Sequence, residues 1–413
     1  MQGFFQLISS QELLLLLERF RPLTPESVPL RMGLHRILAR DITAPEPLPP
    51  FARSTMDGFA VRARDTFGCS ESEPAILKAA GEIAMGTSGQ ATVLKSGQAC
   101  MIWTGGELPA GADAVVMVEF TTQLDGRTIE IFRPVAPGEN VIRVGEDYAQ
   151  SSVVLPKGRR MRPQDLGVLA GLGIGDVPVF KRPTVAIIST GDELVEIDQP
   201  LTPGTIRDIN STTLAALVEE CGGVPVSLGI TGDDPDSLHQ ACAKALDLPA
   251  DLVLISGGSS VGRKDFTLKV LEKLENTELL AHGVSIRPGK PTILARRDNV
   301  ALFGLPGHVG SAIVVFHLFV RPLLQRFLGM ASDSGLQRIR AITTEQVPSA
   351  IGREEYVRVS IKRGDDSDPN LATPIYGKSG LLHPLVKADG LLVIGRDVEG
   401  LDKNEHCEVL LFP

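Results

Sequence analysis

With 413 residues, the chain is too long for a single hydrophobic core and is expected to divide into about three or four domains. A content of 43% hydrophobic and 22% charged residues, with no low-complexity tract, is that of a folded globular protein. The net charge of −9 argues against a general nucleic-acid binder, so an anionic ligand would need local cations, backbone N–H groups or a metal.

Ser9 or Ser10 is placed to cap a first helix running to about Phe20, which Pro22 and Pro25 end. Its leucine run, Leu13–Leu17, is far shorter than the ~20 residues of a membrane span and no basic segment precedes it. No membrane or export signal is read. The five cysteines are scattered without a C-x-x-C pair, which points to a reducing, cytoplasmic setting rather than a disulfide framework or a zinc site. Thr24-Pro25-Glu26 opens a short segment through Leu38, and the proline-rich stretch Ala44–Pro50 is stiff and extended. From Phe51 to about Ile142, short runs separated by Gly and Pro predict a β-rich module with strands at Ala75–Ala79, Ala99–Ile102, Ala114–Glu119 and Thr128–Phe132. A helix is expected from Arg162-Pro163 to Leu172.

The centre changes character. Strands at Thr184–Ser189, Val224–Ile230 and Asp251–Ser256 alternate with helices, the first capped by Asn210-Ser211 and ending at Glu220, the next two at Pro235–Leu246 and Phe266–Leu274. Runs at Thr292–Ala295 and Ala301–Leu305 precede a long apolar helix from about His308 to Phe327. Such alternation predicts a doubly wound, mostly parallel sheet whose ligands bind at the carboxyl ends of its strands. After Gly329 the pattern returns to short β runs (Tyr356–Ile361, Leu391–Ile394, Glu408–Phe412), expected to form a small barrel or sandwich.

The segment DLVLISGGSSVGRKD, Asp251 to Asp265, carries the strongest chemical signal. A buried strand runs into Gly257-Gly258-Ser259-Ser260, where backbone N–H groups can crowd around an anion. Gly257 and Gly262 have the Walker spacing, but Arg263-Lys264-Asp265 replace the expected Lys and Ser/Thr. The same residues also make a plain strand-to-helix turn. Acids follow three successive strands: Asp192-Glu193, Asp233-Asp234 and Asp265. Each has a helix-capping alternative; together, beside a glycine-rich loop, they suit Mg²⁺-assisted phosphoryl chemistry. Of the first pair, one acid is expected to face a ligand while the other ties down the loop. Arg287-Pro288-Gly289-Lys290-Pro291 presents two cations around a turn, and Gly304-Leu305-Pro306-Gly307-His308 leads into the long helix. In the β-rich module, Ser54–Ala60, Thr104-Gly105-Gly106 and Gly145-Glu146-Asp147 read by themselves as turns.

In order along the chain, STMDGFA (Ser54–Ala60), Thr104-Gly105 with PAGADAVV (Pro109–Val116), Gly145-Glu146-Asp147, TGDEL (Thr190–Leu194), Asp208-Ile209-Asn210, Asp233-Asp234, Gly257–Gly262 with Asp265, PGKP (Pro288–Pro291), GLPG (Gly304–Gly307) and Lys378-Ser379-Gly380 resemble the molybdopterin molybdenumtransferase (MoeA) family, related to the C-terminal part of gephyrin. The resemblance covers essentially the whole chain. It implies a multidomain α/β plus β protein: a discontinuous N-terminal domain (1–45 and 143–178), a β-rich domain (46–142), an α/β molybdopterin-binding domain (179–329) of the MogA/MoaB adenylyltransferase type, and a C-terminal β-barrel (330–413). It also implies a cytoplasmic homodimer whose active site is shared between subunits, with the molybdopterin adenylyltransferase and recipient molybdoenzymes as partners. The implied reaction inserts molybdate, or tungstate, into adenylylated molybdopterin and releases AMP with Mg²⁺ present. Asp57, Glu193, Asp265 and Asp147 are then the catalytic acids; Glu193, Asp233, Asp234 and Asp265 hold the metal. Thr104, Gly257, Gly258, Ser259, Ser260, Gly262, Arg287, Lys290, Pro306, Gly307 and Ser379 bind substrate. Three positions depart from the family pattern: His308-Val309 where Asn-Pro is usual, Ser151 where a glycine is common, and His383-Pro384 after Ser379-Gly380. The rival readings are a non-catalytic scaffold of the same fold, which would have shed the acids, and a nucleotide hydrolase sharing only the central domain, which would lack the preceding modules.

Overall fold

The computed structural model describes residues 7–257, 266–330, 335–365, 368–378 and 380–413. They fall into two compact units. One comprises the N-terminal segment to Val28, His35–Ala39 and Pro178–Pro413; the other comprises Pro29–Leu34 and Arg40–Val177.

The first unit is organised by a six-stranded sheet in the order Val224–Thr231, Thr184–Thr190, Leu252–Ser256, Val300–Leu305, Ile293–Arg297, Glu278–His282. The first four strands are parallel, and the last two are added as antiparallel neighbours. Leu252–Ser256 is buried at all five positions, as a strand covered on both faces must be. Its side chains alternate between two cores. Leu252 and Leu254 face one core with Ile187, Phe303, Leu214 and the long helix. Val253 and Ile255 face the other with Ile188, Leu302, Leu238 and Val270.

The long helix, Val309–Phe327, has the length and mean hydropathy (1.2) of a membrane span, but 78% of it is buried inside the protein. It is core structure. Pro322 brings no N–H to the helix, and the turn before it, Phe316–Val320, opens into π-helix. The N-terminal helix Ser10–Leu17 is fixed by a capping box: the Glu12 N–H donates to Ser9 Oγ (3.1 Å), and the Ser9 N–H to Glu12 Oε2 (2.7 Å). It buries Leu13 and Leu17 in the same core as the long helix, where Phe20 meets Phe327 edge to face.

Within this unit the C-terminal strands close on themselves. Glu354–Lys362, Leu371–Pro374, Gln337–Thr343, His406–Leu411 and Gly390–Ile394 form a ring, because the last also pairs with the first. Closure removes the free edges an open sheet would leave. Ile286–Arg287 adds alongside Glu354 and Glu355, which sets the Arg287-Pro288 turn against the barrel.

The second unit contains another six-stranded sheet, ordered Ala114–Met117, Gly58–Val61, Gln98–Ile102, Ala75–Ile83, Thr128–Ile131, Thr121–Gln123. Here the structure corrects one expectation. The end of the Ser54–Ala60 segment, from Gly58, is no turn but part of a fully buried strand, Gly58–Val61, between two antiparallel partners. Gly58 explains why propensity misses it: a Cβ there would stand 1.9 Å from the Val116 carbonyl oxygen, so close strand approach requires glycine. Ser151 is in the left-handed region (φ 65°), where glycine carries no Cβ penalty, which accounts for the residue type common there in the family it resembles. The helix Pro163–Gly171 is tied down by Asp165, whose carboxylate accepts two hydrogen bonds from Arg159 (3.0 and 2.7 Å).

Candidate active site

At the carboxyl ends of the parallel strands lies a cavity of about 430 Å³. Every strand end contributes: Thr190 with Glu193, Asp233, Ser256 with Gly257, and Pro306 with Gly307 and His308. Leu194, the segment Ile206–Asn210, Pro291, Val309 and Gly380 complete the lining. Parallel strands point their carboxyl ends the same way, so residues far apart in sequence share one edge.

The loops are held by specific bonds. Thr190 Oγ1 donates to Asp233 Oδ1 (3.0 Å) and the Gly232 carbonyl (3.2 Å). Asp192 accepts the Asp233 N–H at 3.0 Å and so ties two loops together, while its neighbour Glu193 lines the cavity. Asp234 does not line it among the described residues. Its Oδ1 caps the Pro235–Asp247 helix by accepting the Asp236 and Ser237 N–H groups (3.1 and 2.8 Å), and the hydrogen bonds from Ser237 hold its pKa below the usual carboxylate range. Gly257 has φ 114°, and a Cβ there would sit 2.3 Å from the Thr190 carbonyl oxygen. Only glycine permits this approach.

Asn210 does not cap its helix as expected. Ile209 is the N-cap residue, and Asp208 Oδ1 accepts the Ser211 N–H at 3.1 Å. The Asn210 amide instead donates to Ser256 Oγ (2.6 Å) and the Gly307 carbonyl (2.8 Å), bridging two strand-end loops in the cavity wall. Sequence places Ser256 and His308 in strand-end loops and Asp208 and Asn210 in a family motif without assigning any of them to the site, and all four line the cavity. Asp208-Ile209-Asn210 carried a usable signal in its place just before a helix, but capping absorbed it.

Arg287 and Lys290 do not line this cavity among the described residues. Arg287 borders a second one, of about 280 Å³, with Arg358, Tyr356, Tyr376 and Lys378, and pairs with the buried Glu355 carboxylate (3.0 Å). Arg358 Nη2 donates to the Gly377 carbonyl at 2.6 Å; Nη1 is buried without a hydrogen-bond partner among the described residues, and burial lowers the pKa of the group. Arg358 was missed because a lone cation in an alternating strand reads as an outward position. Lys290 is exposed next to Pro291.

Asp57 and Thr104 belong to the other unit. The Thr104 N–H and Oγ1 both donate to Asp57 Oδ1 (2.8 and 2.7 Å), and these bonds, the backbone one first, pull the exposed carboxylate's pKa down. Asp147 is exposed on a turn of that unit. Gly258, Ser259, Ser260, Gly262, Asp265 and Ser379 lie outside the described residues. Among the described residues no three His, Cys, Asp or Glu side chains gather closely enough to hold a metal by themselves.

Comparison with known proteins decides the family. Three family models match in order: "MoeA N-terminal region (domain I and II)" over residues 8–173, "Probable molybdopterin binding domain" over 186–326, and "MoeA C-terminal region (domain IV)" over 340–412. The molybdopterin molybdenumtransferase of Bacillus subtilis is 35% identical over 94% of this chain and 90% of its own. The chain belongs to the MoeA family. The molybdopterin molybdenumtransferase of Haemophilus influenzae is 34% identical over 95% of each chain. A molybdopterin biosynthesis MoeA protein from Pyrococcus horikosii superposes with a TM-score of 0.85 at 38% identity, covering 99% of this chain and all of that one. MoeA relatives therefore share both the sequence and the fold along nearly its full length.

Proposed function

We propose that this protein inserts molybdate into adenylylated molybdopterin and releases AMP. The observation that carries the reading is the strand-end cavity, in which Glu193 and Asp233 stand beside the Gly257 turn in a chain that matches MoeA relatives almost end to end. The two dithiolene sulfurs bond to molybdenum while one oxo ligand of molybdate leaves as water with the two thiol protons; water adds to the molybdopterin-side phosphorus of the phosphoanhydride, its bond to the bridging oxygen breaks, and AMP leaves with that oxygen.

The donor set suits Mg²⁺. Glu193 and Asp233 are hard oxygen ligands, and this cation keeps several waters while using one or two carboxylates plus substrate phosphates, so a protein cage of three acids is not required. Asp265 is the further ligand in this reading, and Asp234, already a helix cap, keeps Oδ2 for an outer contact. When bound, the metal screens the phosphate charge. The chain's own part is to position: Gly257 brings backbone close to the anion, Asn210 fixes the Ser256 and Gly307 loops, and Glu193 orients the attacking water. Arg287, Arg358 and Lys378 offer the second cavity to the oxyanion, with Glu355 as the counter-ion it displaces. Asp57, Thr104 and Asp147 enter this reading from a second copy of the chain in a homodimer.

The test mixes purified protein with adenylylated molybdopterin, molybdate and Mg²⁺ and follows AMP. Release that depends on both molybdate and Mg²⁺ is expected. No AMP under conditions where a related molybdenumtransferase turns over rejects the assignment.

A further inference from the structure

Next to the pinned Asp57 along the chain and across the strands stand three apolar residues left exposed. Met56 precedes it, Trp103 precedes the Thr104 that binds it, and the Val118 N–H donates to its carbonyl at 3.0 Å. All three are large apolar side chains left exposed, at 39%, 37% and 41%. A fixed carboxylate with exposed aromatic and apolar residues near it offers a ligand one polar contact and apolar area together.

Trp103 is held in place. It follows the buried strand Gln98–Ile102, and its indole Nε1–H donates to Glu82 Oε1 at 2.8 Å. An exposed indole in water has no need of that partner; the bond fixes the ring by its nitrogen edge and leaves carbon surface facing solvent. A pre-ordered aromatic loses little rotamer freedom when a ligand covers it. The carboxylates of Asp57 and Glu82 give this corner a negative field, which favours a flat ring carrying N–H or NH₂ groups over an anionic or aliphatic one.

We propose that Trp103 is a stacking platform for a planar, nitrogen-rich heterocycle of the substrate, seated beside the Asp57–Thr104 pair. The proposal rests on the functional reading above, whose substrate carries two such rings, a pterin and an adenine.

Trp103 is the chain's one tryptophan, so its fluorescence reports on this position alone. Acrylamide quenching of the full-length protein is measured alone, with AMP and with 6-hydroxymethylpterin. Shielding by one ligand identifies which ring stacks. In steady-state turnover, Trp103→Ala is expected to raise KM for adenylylated molybdopterin roughly 5- to 150-fold with little change in kcat, the range for losing one base–aromatic stack. Trp103→Phe, which keeps a ring, is expected to restore most of the affinity. If neither ligand shields Trp103 and Trp103→Ala leaves KM unchanged while AMP is still released, stacking is refuted and the functional reading stands. If wild-type protein releases no AMP, that reading falls, and the shielding measurement still decides the platform.

Discussion

The strand-end cavity and the Asp57 corner both present carboxylates, yet they are built in opposite ways. Glu193 and Asp233 reach one cavity because parallel strands deliver residues 40 or more positions apart to a shared edge, and side chains such as Asn210 and Asp192 then lock the loops to one another. Asp57 and Thr104 meet because neighbouring antiparallel strands, Gly58–Val61 and Gln98–Ile102, lie beside them. The result there is an exposed carboxylate with one oxygen committed to Thr104. A concave site restricts water and shapes a ligand; an exposed corner supplies a fixed group to something else. In the proposed reaction the first would enclose a substrate and the second would present an extra contact.

The contrast is broken most directly at Glu193. Glu193→Gln preserves shape and is expected to lower AMP release by about 100-fold, the scale for misplacing a reacting group, with thermal unfolding unchanged. Retained turnover in that variant would move the chemistry out of the cavity. Gly257→Ala is expected to lose about 1–3 kcal/mol of stability, because the left-handed backbone and the 2.3 Å approach to Thr190 both oppose a Cβ; denaturant unfolding measures it. Thr104→Val removes the hydroxyl from Asp57 and is expected to reduce turnover about tenfold, while Thr104→Ser retains it. Equal loss in both variants would make the hydroxyl irrelevant.

The smallest effect at neutral pH separates the two units by their response to acid. In the cavity-bearing unit, burial lowers the His317 pKa from 6.5 to about 4. The unfolded chain binds that proton more readily, so stability present above pH 6.5 is lost as pH falls toward 4. In the other unit, the Arg159 hydrogen bonds lower the Asp165 pKa from 3.8 to about 2. Its contribution is present above pH 4 and is lost as pH falls through about 2. Urea unfolding across pH is expected to lose the upper slope in His317→Phe and the lower slope in Asp165→Asn. An unchanged upper slope in His317→Phe would show that the imidazole is not the group titrating there.

Sequence alone determined the elements whose physics is local. Continuous apolar runs made Thr184–Ser189 and Asp251–Ser256 legible as buried strands, and Ser9 or Ser10 and Arg162-Pro163 marked helix starts, because capping and proline geometry act within one turn. The alternation of strands and helices carried the central sheet, and the ordered motifs carried the family. Tertiary structure decided what depends on distant partners. Gly58–Val61 became a strand only through its two neighbours, Asn210 became a bridge between loops because Ser256 and Gly307 lie opposite it, and Arg358 turned toward a cavity because five strands closed into a barrel. Helix caps and turns are decided over a few residues, whereas a site is decided by which strand ends stand side by side.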